Sequence, residues 1–135
     1  MITAKAQYVG QKRTEAEHVR SGNRLITDAP TDNHGKGEAF SPTDLVATAL
    51  ASCMMTVMGI KADQEGINLE GLDCEVTKVM GDGPRRITEI HIHMTWPTAS
   101  EATDAQRQKM KNTALACPVA KSLHPDIRQE VTFSF

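Results

Sequence analysis

Aromatic residues are scarce in this sequence: three Phe, one Trp and one Tyr among 135 positions. With so few rings, a core must be filled by aliphatic side chains and by methionine, of which there are seven. The hydrophobic share of 39% is low for one domain, so burial against a second copy of the chain would add stability. Charge of one sign is also lacking. The formal net charge is −2, and no Lys/Arg block points to nucleic acid or an anionic membrane. No apolar run reads as long enough to cross a bilayer. Met1-Ile2-Thr3-Ala4-Lys5 leads into an alternating segment and not into a signal-peptide pattern. These absences describe a soluble cytoplasmic protein with neither a membrane nor a nucleic acid as partner.

Cysteine is rare as well. Three widely separated residues, an odd number, argue against a secreted disulfide framework and for reduced thiols. There is no Cys-x-x-Cys pair, so thioredoxin-type and zinc-ribbon chemistry lack support. No internal repeat or low-complexity segment appears. The length suits one domain spanning 1–135.

What is present sorts into elements. Residues 2–9 alternate loosely, as an edge strand would. Residues 15–27 suit a hairpin turning at Ser21-Gly22-Asn23. Asp28, Pro30, Asp32, Asn33, Gly35 and Gly37 make 28–41 a loop. The strongest helix signal follows. Ser41 suits the N-cap, Pro42 the first helical position and Asp44 the third, a capping box with Asp in the usual Glu/Gln place. The helix should run from about 42 to about 64 and stop near Gly66. Val46, Leu50, Cys53, Val57 and Ile60 recur at spacings of 4, 3, 4 and 3, which predicts its buried face.

Residues 70–80 read as a strand with Leu72, Cys74 and Val76 on one face, and Gly81-Asp82-Gly83-Pro84 as a turn. In the next strand, 85–96, Ile90, Ile92, Met94 and Trp96 face away from Glu89, His91, His93 and Thr95. Residues 100–117 suit a second helix with Met110, Ala114 and Cys117 on one stripe. Pro118 should bend or restart it, giving a short turn of helix over 119–123, and 129–135 should close a sheet. The order of strands, long helix, strands, helix and strand predicts an α+β fold, with one sheet wrapped around a long apolar helix.

Cys53 and Cys117 are the first candidates for chemistry. Free cysteine is often simply buried, and both lie on apolar stripes. Two thiols on the stripes of packed helices face each other, since such helices lie about 8–10 Å apart. That permits the Cα separation of roughly 4.4–6.8 Å that a disulfide needs. Such a pair suits peroxide reduction: one thiolate attacks an oxygen and becomes a sulfenic acid, which the other thiol traps. An apolar site raises a thiol pKa, so the nucleophile needs a cation. Arg20 and Arg24, on the hairpin, are the candidates, against the plainer role of a solvated strand face. Asp44 could orient such an arginine. It stands nine residues before Cys53 on one helix, about 13.5 Å and 180° away, so contact needs chain reversal or a second subunit. Its plainer role is in the first turn of the helix, where a carboxylate is favourable. Cys74 alternates with Leu72 and Val76 and reads as packing. His91 and His93 share a strand face but supply only two ligands, so no metal site is read there. His34, near Asp32 in the loop, reads as surface.

Phe40-Ser41-Pro42-Thr43-Asp44-Leu45, followed by Ala47, Ala49-Leu50-Ala51 and Cys53, resembles the central-helix motif of the OsmC/Ohr family. Ala116-Cys117-Pro118-Val119 resembles its second-cysteine motif, and the cysteine spacing of 64 residues fits as well. The resemblance covers essentially the whole chain. It implies an OsmC-like α+β fold: an intertwined homodimer in which long central helices pack against antiparallel sheets. It implies a thiol-dependent peroxidase that reduces organic hydroperoxides in oxidative-stress defence. Cys53 would be the peroxidatic thiol and Cys117 the resolving one, at an active site on the subunit interface. A dithiol or lipoyl-type reductant would reopen the disulfide, and no metal, haem or flavin cofactor is implied. Well-studied members carry Glu directly after the motif Pro, as part of an Arg–Glu pair that activates the peroxidatic thiol. Here that position is Thr43, with Asp44 next. No arginine of this chain aligns cleanly with the family's. The alternative reading is a non-catalytic dimer that binds a small apolar ligand at its interface pocket.

Overall fold

The computed structural model describes residues 1–135. The chain forms two compact units, Met1–Val46 and Ala47–Phe135.

The first unit is an antiparallel meander of β1 (Ala4–Gly10), β2 (Arg13–His18) and β3 (Arg24–Asp28), in that order. β1 is an edge strand, as its loose alternation predicts. Gln11 and Lys12 join β1 to β2 with φ of 55° and 61°, the left-handed pair that matches the twist of a hairpin. The next turn is closed by the His18 N–H donating to the Asn23 carbonyl at 2.8 Å. The loop that follows folds upon itself. The N–H groups of Asn33 and Gly35 both donate to the Pro30 carbonyl, at 2.9 and 3.0 Å. Gly35 has no substitute there, since a Cβ would lie 1.7 Å from the Ala29 carbonyl oxygen. The buried residues of this unit are Thr27, Asp28 and Ser41, all polar. Its large apolar side chains, among them Tyr8, Leu25, Ile26 and Phe40, are exposed.

Helix α1 (Pro42–Glu65) starts on the expected capping box. The Asp44 N–H donates to Ser41 Oγ at 3.1 Å, and the Ser41 N–H donates to Asp44 Oδ2 at 2.9 Å.

The second unit holds the rest of α1, then β4 (Asp73–Gly81), β5 (Arg86–Thr95), α2 (Asp104–Leu115), α3 (Pro118–Ser122) and β6 (Arg128–Ser134). Its sheet has the order β4-β5-β6. β4 pairs antiparallel with β5, but β6 pairs parallel with it on the other edge, because α2 and α3 return the chain to the end where β5 began. The single sheet expected from the sequence is therefore two three-stranded sheets, one of them mixed. The core lies between one face of α1, the inner face of β5 (Ile90, Ile92, Met94) and Met110 and Ala114 of α2. Trp96 closes one end. Its indole N–H, which cannot be buried without a partner, donates to the Asn68 carbonyl at 2.8 Å and to Thr98 Oγ1 at 2.9 Å.

Two expectations about α1 need correction. Its buried residues are Ala47, Leu50, Ala51, Met54, Met58 and Ala62, and not the stripe from Val46 to Ile60. Only Leu50 belongs to both; Val46 and Ile60 are exposed, while Cys53 and Val57 sit at the margin. The helix is apolar or small on nearly every side, so spacing alone admits more than one stripe. For the same reason α1 is long and apolar enough to cross a membrane by length and composition, with a mean hydropathy of 1.6. The sequence was expected to contain no such run. In this fold one face of the helix lies in the core.

Candidate active site at Cys53 and Cys117

Cys53 lies midway along α1, at the edge of the buried face, and is partly exposed. Cys117 lies between α2 and α3. A capping box of Thr103 and Gln106 starts α2, and that helix ends at Leu115. Pro118 then occupies the first position of α3, where its missing N–H costs nothing, and Cys117 becomes the N-cap. The Cys117 Sγ accepts the Ala120 N–H at 3.4 Å. This side chain is 0% exposed.

Both cysteines are reduced, and the structure brings their thiols together as neighbours at the margin of one core. Burial pushes the Cys117 thiol pKa above its ordinary value. The Ala120 N–H opposes that shift, and the neighbouring Cys53 thiol adds to it. The surroundings are apolar. Cys117 belongs to the same core cluster as Met54, Met58, Met110 and Ala114, and Cys53 packs against it.

The remaining candidates lie in the first unit. Arg24 is mostly exposed and pairs with Glu17 at 3.4 Å. Arg20 is exposed in the turn between β2 and β3. Asp44 takes part in the capping box described above. One pair escaped the sequence. Arg13 Nε and Nη2 donate to Asp28 Oδ1 and Oδ2 at 2.7 and 2.8 Å, a two-pronged contact on a carboxylate that is 1% exposed. The Glu38 N–H donates to the same carboxylate at 3.1 Å. These hydrogen bonds, Arg13's foremost, hold the Asp28 carboxyl below its usual range and raise the arginine. Arg13 and Asp28 stand directly across from each other on β2 and β3. A hairpin begun at 13 instead of 15 would have exposed the pair.

Cys74 packs within the second unit: its Sγ lies 3.9 Å from Met55 Sδ, and burial, then the charge of Asp73, raises its pKa. His91 lies 3.2 Å from Glu89 on the outer face of β5. His93 bridges Thr132 at 2.6 Å and Ser134 at 2.9 Å. His34 occupies a left-handed position in the loop, with φ of 65°. No three His, Cys, Asp or Glu side chains converge as a metal site requires.

The fold and the two cysteine motifs define a class, and comparison agrees. The family model for OsmC-like protein matches residues 35–132, and the chain belongs to that family. A solved structure from Psychrobacter arcticus 273-4, of a protein named for osmotic stress induction and detoxification response, is 56% identical with a TM-score of 0.93. The match covers 98% of this chain and 96% of that one. An organic hydroperoxide resistance protein OsmC from Legionella pneumophila has a TM-score of 0.76 at 17% identity, covering 100% and 98% of the two chains. An organic hydroperoxide resistance protein from Elizabethkingia anophelis has a TM-score of 0.69 at 17% identity, covering 99% and 96%. No curated protein matches the sequence. The family thus includes proteins named for hydroperoxide resistance.

Proposed function

We propose that this protein is a cytoplasmic two-cysteine hydroperoxide reductase. The observation that carries the reading is the reduced thiol pair in which Cys117 is fully buried in the core while Cys53, packed against that core, is partly exposed. In the first step the Cys53 thiolate attacks the outer oxygen of the hydroperoxide. The O–O bond breaks, Cys53 becomes a sulfenic acid, and the alkoxide leaves and takes up a proton as the alcohol. In the second step the Cys117 sulfur attacks the sulfenic sulfur, water leaves, and a Cys53–Cys117 disulfide forms. A dithiol or lipoyl-type reductant then restores both thiols. The apolar surroundings favour an organic hydroperoxide with a hydrocarbon group.

The thiolate needs a cation. Our candidates are Arg13, Arg20 and Arg24, and Arg13 is preferred because a buried carboxylate fixes its guanidinium. Asp28 would then serve where the family has Glu, with Asp44 as the other carboxylate in play. The working form is proposed to be a homodimer, which would cover the exposed Tyr8, Leu25, Ile26 and Phe40. A second reading, a dimer that binds a small apolar ligand, draws on the shallow depression lined by Leu25, Ile26, Ala39 and Phe40.

The test is alcohol release. Reduced protein given excess cumene hydroperoxide should release one cumyl alcohol per chain in a first turnover. Cys53→Ser should release none. Cys117→Ser should release one and leave a sulfenic acid on Cys53 that dimedone traps. Of Arg13→Met, Arg20→Met and Arg24→Met, the variant that slows the burst names the activating cation. Equal release from Cys53→Ser would reject the peroxidase reading, and a co-purifying apolar molecule would then favour the second.

A further inference from the structure

The two sulfurs of the pair are not equivalent toward a third. Cys53 is partly exposed, whereas Cys117 is fully buried within its own unit, and added protein could only bury it further. The Cys117 sulfur also has a partner prepared for it, since the Ala120 N–H donates to Sγ at 3.4 Å. Gln129, on β6, holds that segment: its Nε2 donates to the Ala120 carbonyl at 3.1 Å, and the side chain is half-buried. The Cys117 carbonyl in turn accepts the Lys121 N–H at 3.3 Å, so the backbone around the sulfur is tied on both sides.

We infer that reopening of the Cys53–Cys117 disulfide is directional: the reducing thiol attacks Cys53, Cys117 leaves, and Gln129 positions the Ala120 amide that receives the departing sulfur. In atoms, the reductant thiolate forms a bond to Cys53 Sγ while the Cys53–Cys117 S–S bond breaks. The electron pair goes to Cys117 Sγ, which accepts the Ala120 N–H and then takes a proton. The second thiol of a dithiol closes on its own mixed disulfide and releases the Cys53 thiolate, so the dithiol is oxidised and the protein reduced. A good leaving thiol speeds exchange, and a hydrogen bond to the developing thiolate makes it a better one. Gln129 is a positioning residue, because it acts through Ala120 and touches neither sulfur in the hydrogen bonds described. The inference rests on the two-cysteine reading, but the disulfide for its test is made with diamide, so peroxidase activity is not required.

The diamide-oxidised full-length protein is treated briefly with 2-mercaptoethanol, quenched in acid, alkylated with N-ethylmaleimide and mapped by mass spectrometry. The mixed disulfide should sit on Cys53 and the maleimide on Cys117. A mixed disulfide on Cys117, or failure of diamide to join the two cysteines, overturns the inference. If the diamide disulfide opens at Cys53 but hydroperoxide never forms it, the peroxidase reading falls and this one stands. For the positioning role, Gln129→Met should slow reduction by up to about tenfold, the scale of one lost neutral hydrogen bond, and Gln129→Lys should restore it. Iodoacetamide should alkylate Cys53 of the reduced Gln129→Met protein at the native rate. Equal slowing of alkylation and reduction would mean a general disturbance and would overturn the role of Gln129.

Discussion

Every buried apolar side chain of the molecule lies in the second unit, between Ala47 and Cys117, whereas the buried residues of the first are Thr27, Asp28 and Ser41. The second unit closes a core of its own, with α1, β5 and α2 contributing to it; Cys117 belongs to that core and Cys53 packs against it. The first is tied by ladder hydrogen bonds, a folded loop and the Arg13–Asp28 pair, and it leaves Tyr8, Leu25, Ile26 and Phe40 outside. One chain thus contains a finished half that carries the thiol pair and a half whose apolar surface is left uncovered. In the proposed dimer, the second copy would serve the sheet unit that carries the candidate cations and not the thiol pair.

That contrast can be broken in four places. Cys53→Ser, in the finished half, should abolish hydroperoxide turnover, a loss of roughly a thousandfold or more in kcat, without changing the oligomeric state seen by sedimentation. Leu50→Ala should lower unfolding stability by about 3 kcal/mol in urea titrations, because Leu50 is 0% exposed and its site cannot collapse freely. Phe40→Ser combined with Leu25→Ser should do the reverse. It should weaken self-association by about tenfold, the scale of a lost interface anchor, while Cys53 alkylates at the native rate. A loss of stability in the dilute monomer instead would mean that the first unit has a core of its own after all.

The smallest effect is on pH. Arg13, and then the Glu38 N–H, hold the Asp28 carboxyl below its unfolded value. Between the two values the unfolded chain binds more protons than the folded one, so stability rises with pH across that window. The contribution is fully present above the ordinary Asp range and is lost as pH falls through the folded value. Thermal unfolding followed from pH 6 downward should show a loss at acid pH that Asp28→Asn abolishes; parallel profiles for the two proteins would deny the pair its role.

Much of this was legible in the sequence. The capping box at Ser41 and Asp44, the alternation from Ile90 to Trp96 and the restart at Pro118 are local signals, set by neighbours within a few residues, and each produced the expected element. The burial of Cys117 was legible because it follows Met110 and Ala114 at helical spacing and all three are fully buried, although α2 itself ends at Leu115. The buried face of α1 was not, since a helix apolar on most sides does not announce which side another element will cover. The parallel seat of β6 depends on a crossover, and crossovers leave no periodicity behind. The Arg13–Asp28 pair needed a hairpin register correct to one residue, because a shift of one turns every side chain to the other face.

The measurement that bears most directly on the central claim is a thiol count after one equivalent of cumene hydroperoxide. The fully reduced protein should lose two of its three thiols rapidly, and peptide mapping should find a Cys53–Cys117 bridge with Cys74 still free. No loss, or slow loss shared by all three cysteines, would contradict the account and leave the pair a feature of packing.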